Sequence, residues 1–428
     1  MALMAQGAGG SLPQQMHSWS DLKAAYRFLN NDRVTPEKIG GPHRAWTRRQ
    51  CQGHKIILCV QDDTDIHGAK VAGGRGDDRN EVLHTTLAVT LSGEVLGVLD
   101  QRWFTHVQPQ AGETQSQRAA RWRETDVWQD AVTAVGPVPE DSRYIHVADR
   151  ASDNLRFLHA CGEAGHGFVI RAQHDRRVEQ ATDRLWPYLG QMPCHGTLQV
   201  TIGAQRVNGS GKGQRVGRVA TLSVRYATVQ LERPKNHPGA VKPLTVQAVY
   251  LIEEHPPKSV EPVDWMLLTS EPVDNLQAAF FIAGCYQKRW VIEEWHRVLK
   301  EGCKLEHSQV ETRHALCCLS AMLSIVAVRL LQLRDMAQSA ASSKVTALRR
   351  SVPLVWITVV AILAQQNPAR LSPRAFWLTI AKQGGYLART ADGQPGWKVI
   401  WRGWYDISHM VRYAELLERK TKRHTKCG

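Results

Sequence analysis

The sequence lacks an apolar run that could span a bilayer. Residues 352–364 form the longest apolar stretch, which is too short and contains a proline, and residues 319–333 are interrupted by Arg329. We expect both stretches to be buried helices. Residues 1–11 contain neither a basic segment nor a sustained apolar one, so the sequence does not predict export.

Several metal-binding and catalytic motifs are also missing. The nine cysteines are irregularly spaced and include no C-x-x-C pair, which argues against structural zinc, and their odd number fits free thiols in a cytosol. The 18 histidines form no H-E-x-x-H motif, and no G-x-S-x-G elbow occurs. The segments GGRGDD and GSGKGQ lack the Gly-Lys-Ser/Thr ending of a phosphate-binding loop, so we expect turns there.

The composition is otherwise that of an ordinary globular protein with an excess of positive charge. The chain has 428 residues, of which 43% are hydrophobic and 22% charged. That length is enough for about two to four domains. Lys and Arg number 54 against 40 Asp and Glu, a formal net charge of +14. Such an excess indicates an anionic partner, of which nucleic acid is the commonest.

Hydrophobic patterning before residue 174 predicts alternating strands and helices. Residues 17–40 predict a helix, a polar turn and the start of a second helix, with Thr35 as its N-cap and Pro36 at its first position. The elements predicted after these are strand 54–61, a hairpin joined by Ser92 and Gly93, helix 112–134, strand 142–149, helix 152–161 and strand 167–173.

The rest of the chain is predicted to form β-strands first and then helices. Short alternating runs over 174–270 predict antiparallel strands, and helices are predicted over 274–300, 311–336 and most of the rest. We therefore predict an α/β fold: a ribonuclease-H-like catalytic core interrupted by an antiparallel β insertion, with a C-terminal helical region. The predicted domains are 1–50 (short helical segment), 51–173 (core, first part), 174–270 (insertion), 271–336 (core, last part) and 337–428 (C-terminal helices).

Two aspartates follow predicted buried strands of this core. Asp62 follows the strand that begins at residue 54, and Asp149 follows the strand that begins at residue 142. Residues beyond the carboxyl ends of neighbouring strands share one crevice, where two carboxylates could hold a divalent cation. Aspartates in such places are also common turn and N-cap residues, so either acid alone is weak evidence for a site.

The segment YQKRWVIEEWHRVLK, residues 286–300, carries a third acid. At about 100° per residue, the side chains of Tyr286, Arg289, Glu293 and Lys300 lie within about 60° of one another on one helix. One carboxylate among cations suits a metal ligand surrounded by phosphate-binding groups. An amphipathic helix with salt bridges on a solvated face is the alternative interpretation.

This segment also contains Y-x2-R-x3-E-x6-K, and the chain thereby resembles the bacterial DDE cut-and-paste transposases of the insertion-sequence-four family. The resemblance covers most of the chain. The other segments that match, in order, are AAYRFLNNDRV, QDDTDI, VADRASD, FVIRAQHDRR, WMLLTSEPV, AVRLLQLR and GWKVIWRGW.

The resemblance implies a metal-binding catalytic triad, two Mg²⁺ or Mn²⁺ ions, and double-stranded DNA as partner. The triad would be Asp62, Asp149 and Glu293, with Asp63 as the alternative first ligand. The implied DNA-binding residues are Tyr286, Arg289, Lys300, Arg171 and Trp265, the last by stacking on a flipped base, although Trp265 could equally be a core aromatic.

The implied activity is cleavage at transposon ends by nick, hairpin and hairpin opening, then strand transfer into target DNA. A homodimer in a synaptic complex, without any membrane, and a bacterial cytoplasmic, nucleoid-associated location are also implied. The resemblance begins near Trp19, so the family's N-terminal end-recognition region is expected to be largely missing. Two alternatives stay open: a truncated, non-catalytic regulator that forms inactive dimers, and a general ribonuclease-H-like nuclease.

Overall fold

A computed structural model describes residues 11–424 of the chain, except residues 17, 67–80, most of 107–120, 180–183, 204–216, 233–242, 339–344 and 391. The predicted turns GGRGDD and GSGKGQ lie outside the described residues, as does part of the helix predicted over 112–134.

Nine strands form a single sheet at the centre of the described chain. Their order across the sheet is β3-β2-β1-β4-β5-β9-β8-β7-β6. β1 pairs in parallel with β4, and β4 with β5, while the other neighbouring strands are antiparallel. The strands are β1 Ile56–Ile66, β2 Glu81–Val89, β3 Val95–Thr105, β4 Arg143–Ala148, β5 Gly167–Arg171, β6 Gly196–Ile202, β7 Arg218–Leu231, β8 Leu244–Ile252 and β9 Asp264–Thr269.

The hairpin and the buried strands of the first half are confirmed. The backbone turns between Thr90 and Glu94, and Gly93 takes a φ of +99°, which a glycine adopts without steric cost. The prediction for the first strand was wrong in one respect. Asp62 does not follow β1 but lies inside it, because β1 continues to pair with β2 as far as Ile66, opposite Glu81.

The antiparallel strands predicted over 174–270 are present, and they extend the same sheet. β9 pairs with β5, so the register Val169↔Thr269 joins the later strands to the first five. This pairing is non-local, which local patterning could not predict. The structure is thus a mixed α/β fold with a large, mostly antiparallel sheet.

Helices cover both faces of the sheet. Even-numbered residues of β1, such as Leu58 and Val60, pack into a core with the late helices, whereas Ile57 and Cys59 pack against the early ones. The helices are α1 Leu12–Gln15, α2 Trp19–Leu29, α3 Pro36–Cys51, α4 Asp126–Val135, α5 Leu155–Glu163, α6 Leu185–Gln191, α7 Leu276–Gln287, α8 Trp290–Arg297, α9 Arg313–Gln338, α10 Val345–Ser351, α11 Leu354–Leu363, α12 Pro373–Gln383 and α13 Trp397–His424.

The early helices begin where the sequence predicts. The side chain of Thr35 accepts a hydrogen bond from the backbone N–H of Lys38 and caps α3, with Pro36 at its first position. Of the described helices, α9 alone is long and apolar enough to cross a membrane, but 78% of its apolar 18-residue segment is buried inside the protein. That burial is typical of a core helix, as the sequence predicted for residues 319–333.

The segment predicted as one helix over 274–300 is divided. α7 ends at Gln287, and Lys288 and Arg289 form a turn before α8, with Arg289 N–H bonded to the Tyr286 carbonyl three residues back. After α8 the chain widens into a π-helical turn, Val298–Gly302. Tyr286 therefore lies on a different helix from Glu293, and the prediction that both share one stripe of a single helix was wrong.

Candidate active site

Asp62 and Asp149 lie side by side on the α8 face of the sheet. Val60 is in register with Val147 on the parallel strand β4, and each aspartate lies two residues beyond that pair. Since side chains alternate along a strand, both aspartates point to the same face as Val60 and Val147, which belong to the core with the late helices. Burial, and then the neighbouring Asp149 carboxylate, raise the pKa of Asp62 to about 7.

Asp149 also performs the ordinary role that its position suggested. Its Oδ1 accepts a hydrogen bond of 2.8 Å from the Ala151 N–H and so caps the short turn Arg150–Ser152. Its position after β4 is as predicted, and one carboxylate oxygen stays available beyond the capping bond.

Asp63 points to the opposite face of β1. Its Oδ1 lies 2.5 Å from Nδ1 of His84, its antiparallel partner on β2, and His84 packs edge-on against Trp128 of α4. His84 is hydrogen-bonded to Gln61, and Gln61 to the buried His146. Strand alternation therefore separates the two adjacent aspartates, and only Asp62 lies on the same face as Asp149.

Arg289 connects Asp62 with Glu293. One guanidinium nitrogen, Nη2, lies 2.6 Å from Glu293 Oε1, and the other, Nη1, lies 3.8 Å from Asp62 Oδ2. The Arg289 side chain is 11% exposed, whereas that of Glu293 is 34% exposed. Arg289 immediately precedes α8 and Glu293 lies in its first turn, and the buried side of α8, with Ile292 and Trp295, packs into the core.

The chemistry of these carboxylates suits Mg²⁺ or Mn²⁺, which prefer hard oxygen ligands. Burial together with the neighbouring Asp149 disfavours ionisation of Asp62, and a divalent cation would relieve that cost. Within the described part of the chain, no three acidic, His or Cys side chains form a complete metal cluster as they stand. In the same place, the Arg289 guanidinium lies between Asp62 and Glu293.

Three of the predicted DNA-binding residues form a second cluster. The Trp265 ring meets the Tyr286 ring edge-on, with centroids 5.3 Å apart, and Tyr286 also contacts Arg171. Arg171 donates a 2.6 Å hydrogen bond to the Asp264 carbonyl. Burial raises the pKa of Tyr286, an effect that Arg289 and Arg171 oppose. Trp265 is half-buried, so part of its ring stays accessible.

Lys300 lies apart from these groups, in the π-helical turn. Its Nζ is 3.4 Å from Glu306 Oε1, and its side chain is 20% exposed. A Cβ added to Gly302, in the same turn, would lie 2.0 Å from the ring of Trp401, so α13 packs directly behind this segment. The structure thus brings Arg289 to the acids and leaves Lys300 with a different partner.

Two features of the site were missed by sequence reasoning. Trp290, the first residue of α8, is 51% exposed, and the Arg289 guanidinium lies 4.9 Å from the centre of its ring. Glu294 is bonded to Arg334 of α9 at 2.5 Å and so ties α8 to the core. The tryptophan in Y-Q-K-R-W was a usable signal, whereas no local pattern linked Glu294 to a residue 40 positions away.

Comparison with protein-family models bears on the same region. Residues 124–328 match the model described as Transposase DDE domain. Nearly half of the chain is thus similar to a transposase DDE domain. Residues 1–34 match the model described as Transposase DNA-binding, at the end where an end-recognition region was expected to be largely missing. Asp149 and Glu293 lie inside the DDE domain match, and Asp62 lies before it. Together the two matches support a DDE transposase with DNA as its partner.

Proposed function

We propose that the chain is a transposase of the insertion-sequence-four family, similar to the transposase of transposon five, with a ribonuclease-H-like catalytic core. It cuts DNA at transposon ends by nick, hairpin and hairpin opening, and joins the freed ends to target DNA. The observation that carries the proposal is the shared face of Asp62 and Asp149, linked through Arg289 to Glu293.

Asp62, Asp149 and Glu293 are the residues that would hold two divalent cations. When bound, such ions supply the positive charge that activates an attacking hydroxyl and stabilises a leaving oxygen. The strands β1 and β4 fix the first two carboxylates, and α8 fixes the third.

The neighbouring residues position the DNA. Arg289 beside the acids, and Lys300 in the π-helical turn, contribute positive charge for DNA phosphates, as the overall charge of the chain also favours. Trp265 and Tyr286 offer aromatic surface to an unpaired base, with Arg171 fixed behind them. The exposed ring of Trp290 is a further surface for stacking next to Glu293. A homodimer that holds two ends together completes the proposed assembly.

The test uses the purified full chain and labelled duplexes made from the genomic borders of the reading frame, with Mg²⁺ or Mn²⁺. Denaturing gels should show a nick, then a hairpin, then an opened end. Only non-specific, steeply salt-dependent binding without cutting would instead support a non-catalytic regulator that forms inactive dimers. Cutting of RNA–DNA hybrids in preference to these duplexes would support a general nuclease.

A further inference from the structure

The Arg289 guanidinium occupies the position between two of the three proposed cation ligands. It is bonded to Glu293 Oε1 at 2.6 Å and approaches Asp62 Oδ2 to 3.8 Å. The residue is 9% exposed and its guanidinium stacks on Trp290. A guanidinium in this place neutralises the carboxylates much as a bound cation would.

Other cations of the neighbourhood are engaged elsewhere. Lys300 pairs with Glu306 at 3.4 Å, and Arg171 donates to the Asp264 carbonyl at 2.6 Å. Among the ion pairs of the described chain, the Arg289 contacts alone span two of the proposed ligands. A divalent cation that binds Oε1 of Glu293 would therefore replace Arg289 at that oxygen.

A DNA phosphate is the natural new partner for the released guanidinium. Arginine binds phosphate as well as carboxylate, through the same planar fork of N–H donors. The Trp290 ring is 51% exposed and the Arg289 guanidinium lies 4.9 Å from its centre, so DNA that contacts this ring would bring its phosphates near Arg289.

Resting on the function proposed above, we propose that Arg289 is an exchangeable counter-ion that couples DNA binding to cation binding. In the free protein it neutralises Asp62 and Glu293, and on DNA binding it moves to a phosphate and frees both carboxylates. Each ligand then strengthens the binding of the other by the same factor, as linkage requires.

The size of the coupling follows from one unit charge near the cation site. At about 6 Å and an effective dielectric constant of about 40–80, removal of that charge changes the affinity for a divalent cation by roughly 10- to 100-fold, and salt reduces this toward tenfold. We therefore expect saturating DNA to tighten Mn²⁺ binding about tenfold in the wild-type chain.

The experiment measures Mn²⁺ affinity by electron paramagnetic resonance, with and without a saturating duplex that ends at the element border, so that no bond remains to be cut. Arg289→Gln should bind Mn²⁺ about tenfold more tightly than wild type without DNA, and DNA should then add less than twofold. Arg334→Gln is the matched control. Arg334 lies on α9 and pairs at 2.5 Å with Glu294, which is the neighbour of Glu293 on α8. This variant should retain the wild-type coupling.

Unchanged or weaker Mn²⁺ binding by Arg289→Gln, with the DNA effect retained, would overturn the proposal. If that variant does not fold, Arg289→Lys tests the same point. Its ammonium group cannot contact two partners as the planar guanidinium does, so DNA should tighten Mn²⁺ binding less than in wild type. An effect of DNA as large as in wild type would overturn the proposal. The proposed function fails separately, if Mn²⁺ binds equally well to wild type and Glu293→Gln. Loss of Mn²⁺ binding in Glu293→Gln together with normal coupling in Arg289→Gln would reject the counter-ion role alone.

Discussion

Glu293 and Glu294 provide a direct comparison, because they are adjacent acids on α8 with different neighbours. Glu293 is bonded to Arg289 beside Asp62, whereas Glu294 is bonded to Arg334 in the core. We expect Glu293→Gln to reduce metal-dependent cleavage at least about 10³-fold, because charge stabilisation by a bound cation contributes several kcal/mol to the transition state. Glu294→Gln should stay within about tenfold of wild type.

The two changes should cost similar stability. The Glu293 side chain is 34% exposed and the Glu294 side chain 41% exposed, so solvent screens both ion pairs. Each pair is worth roughly 0.3–1 kcal/mol, which shifts the melting temperature by only a few degrees at most. Cleavage rates on labelled border duplexes, with melting curves for both variants, provide the measurement. Equal cleavage by the two variants would refute the assignment of Glu293.

The remaining predictions concern the first acid, the aromatic cluster and pH. Asp62→Asn should abolish cleavage, whereas Asp63→Asn should keep most of it, because an amide oxygen can still accept the His84 hydrogen bond. Gel assays of both variants measure this, and the reverse result would make Asp63 the ligand. Trp265→Ala should slow hairpin formation by about 5- to 150-fold, because a stacked base contributes about 1–3 kcal/mol, and should leave the rate of the first nick unchanged. Equal decreases in the rates of both steps in single-turnover assays would mean that Trp265 has a structural role. Without divalent cations, the contribution of Asp62 to the free energy of unfolding should fall as pH rises from about 4 to about 7, because the folded chain retains on Asp62 a proton that the unfolded chain, with a pKa of 3.8, has released. Buried His43 and His296, whose pKa values burial lowers to about 4 and about 3, act in the opposite sense in this range. Urea unfolding of wild type and Asp62→Asn at several pH values tests this, because the stability of the wild type relative to the variant should fall as pH rises.

Local features of the fold could be predicted from the sequence because each depends on neighbouring residues. The hairpin at Gly93 follows from a glycine between two apolar runs, and the start of α3 follows from Thr35 before Pro36. The approach of Asp62 to Asp149 was also predictable, because each acid comes just after the apolar run that pairs in parallel in β1 or β4.

Features that depend on distant residues were not predictable in this way. The continuation of β1 beyond Asp62 is set by its pairing with β2, and the joining of the insertion to the core is set by the pairing of β9 with β5. The break before α8 arises where the chain turns at Lys288, in a segment whose periodicity fits a continuous helix. Arg289 lies at the start of a helix and Asp62 lies on a strand that is distant in sequence. The helical pattern therefore predicted a positive charge near Glu293 but not the contact of Arg289 with Asp62.

A crystal structure of the chain with border DNA and Mn²⁺ tests the central claim most directly, through the anomalous scattering of manganese. The account predicts anomalous peaks coordinated at about 2.0–2.2 Å by oxygens of Asp62, Asp149 and Glu293, with Asp63 still bonded to His84. Manganese held by other residues, or by Asp63 in place of Asp62, would contradict it.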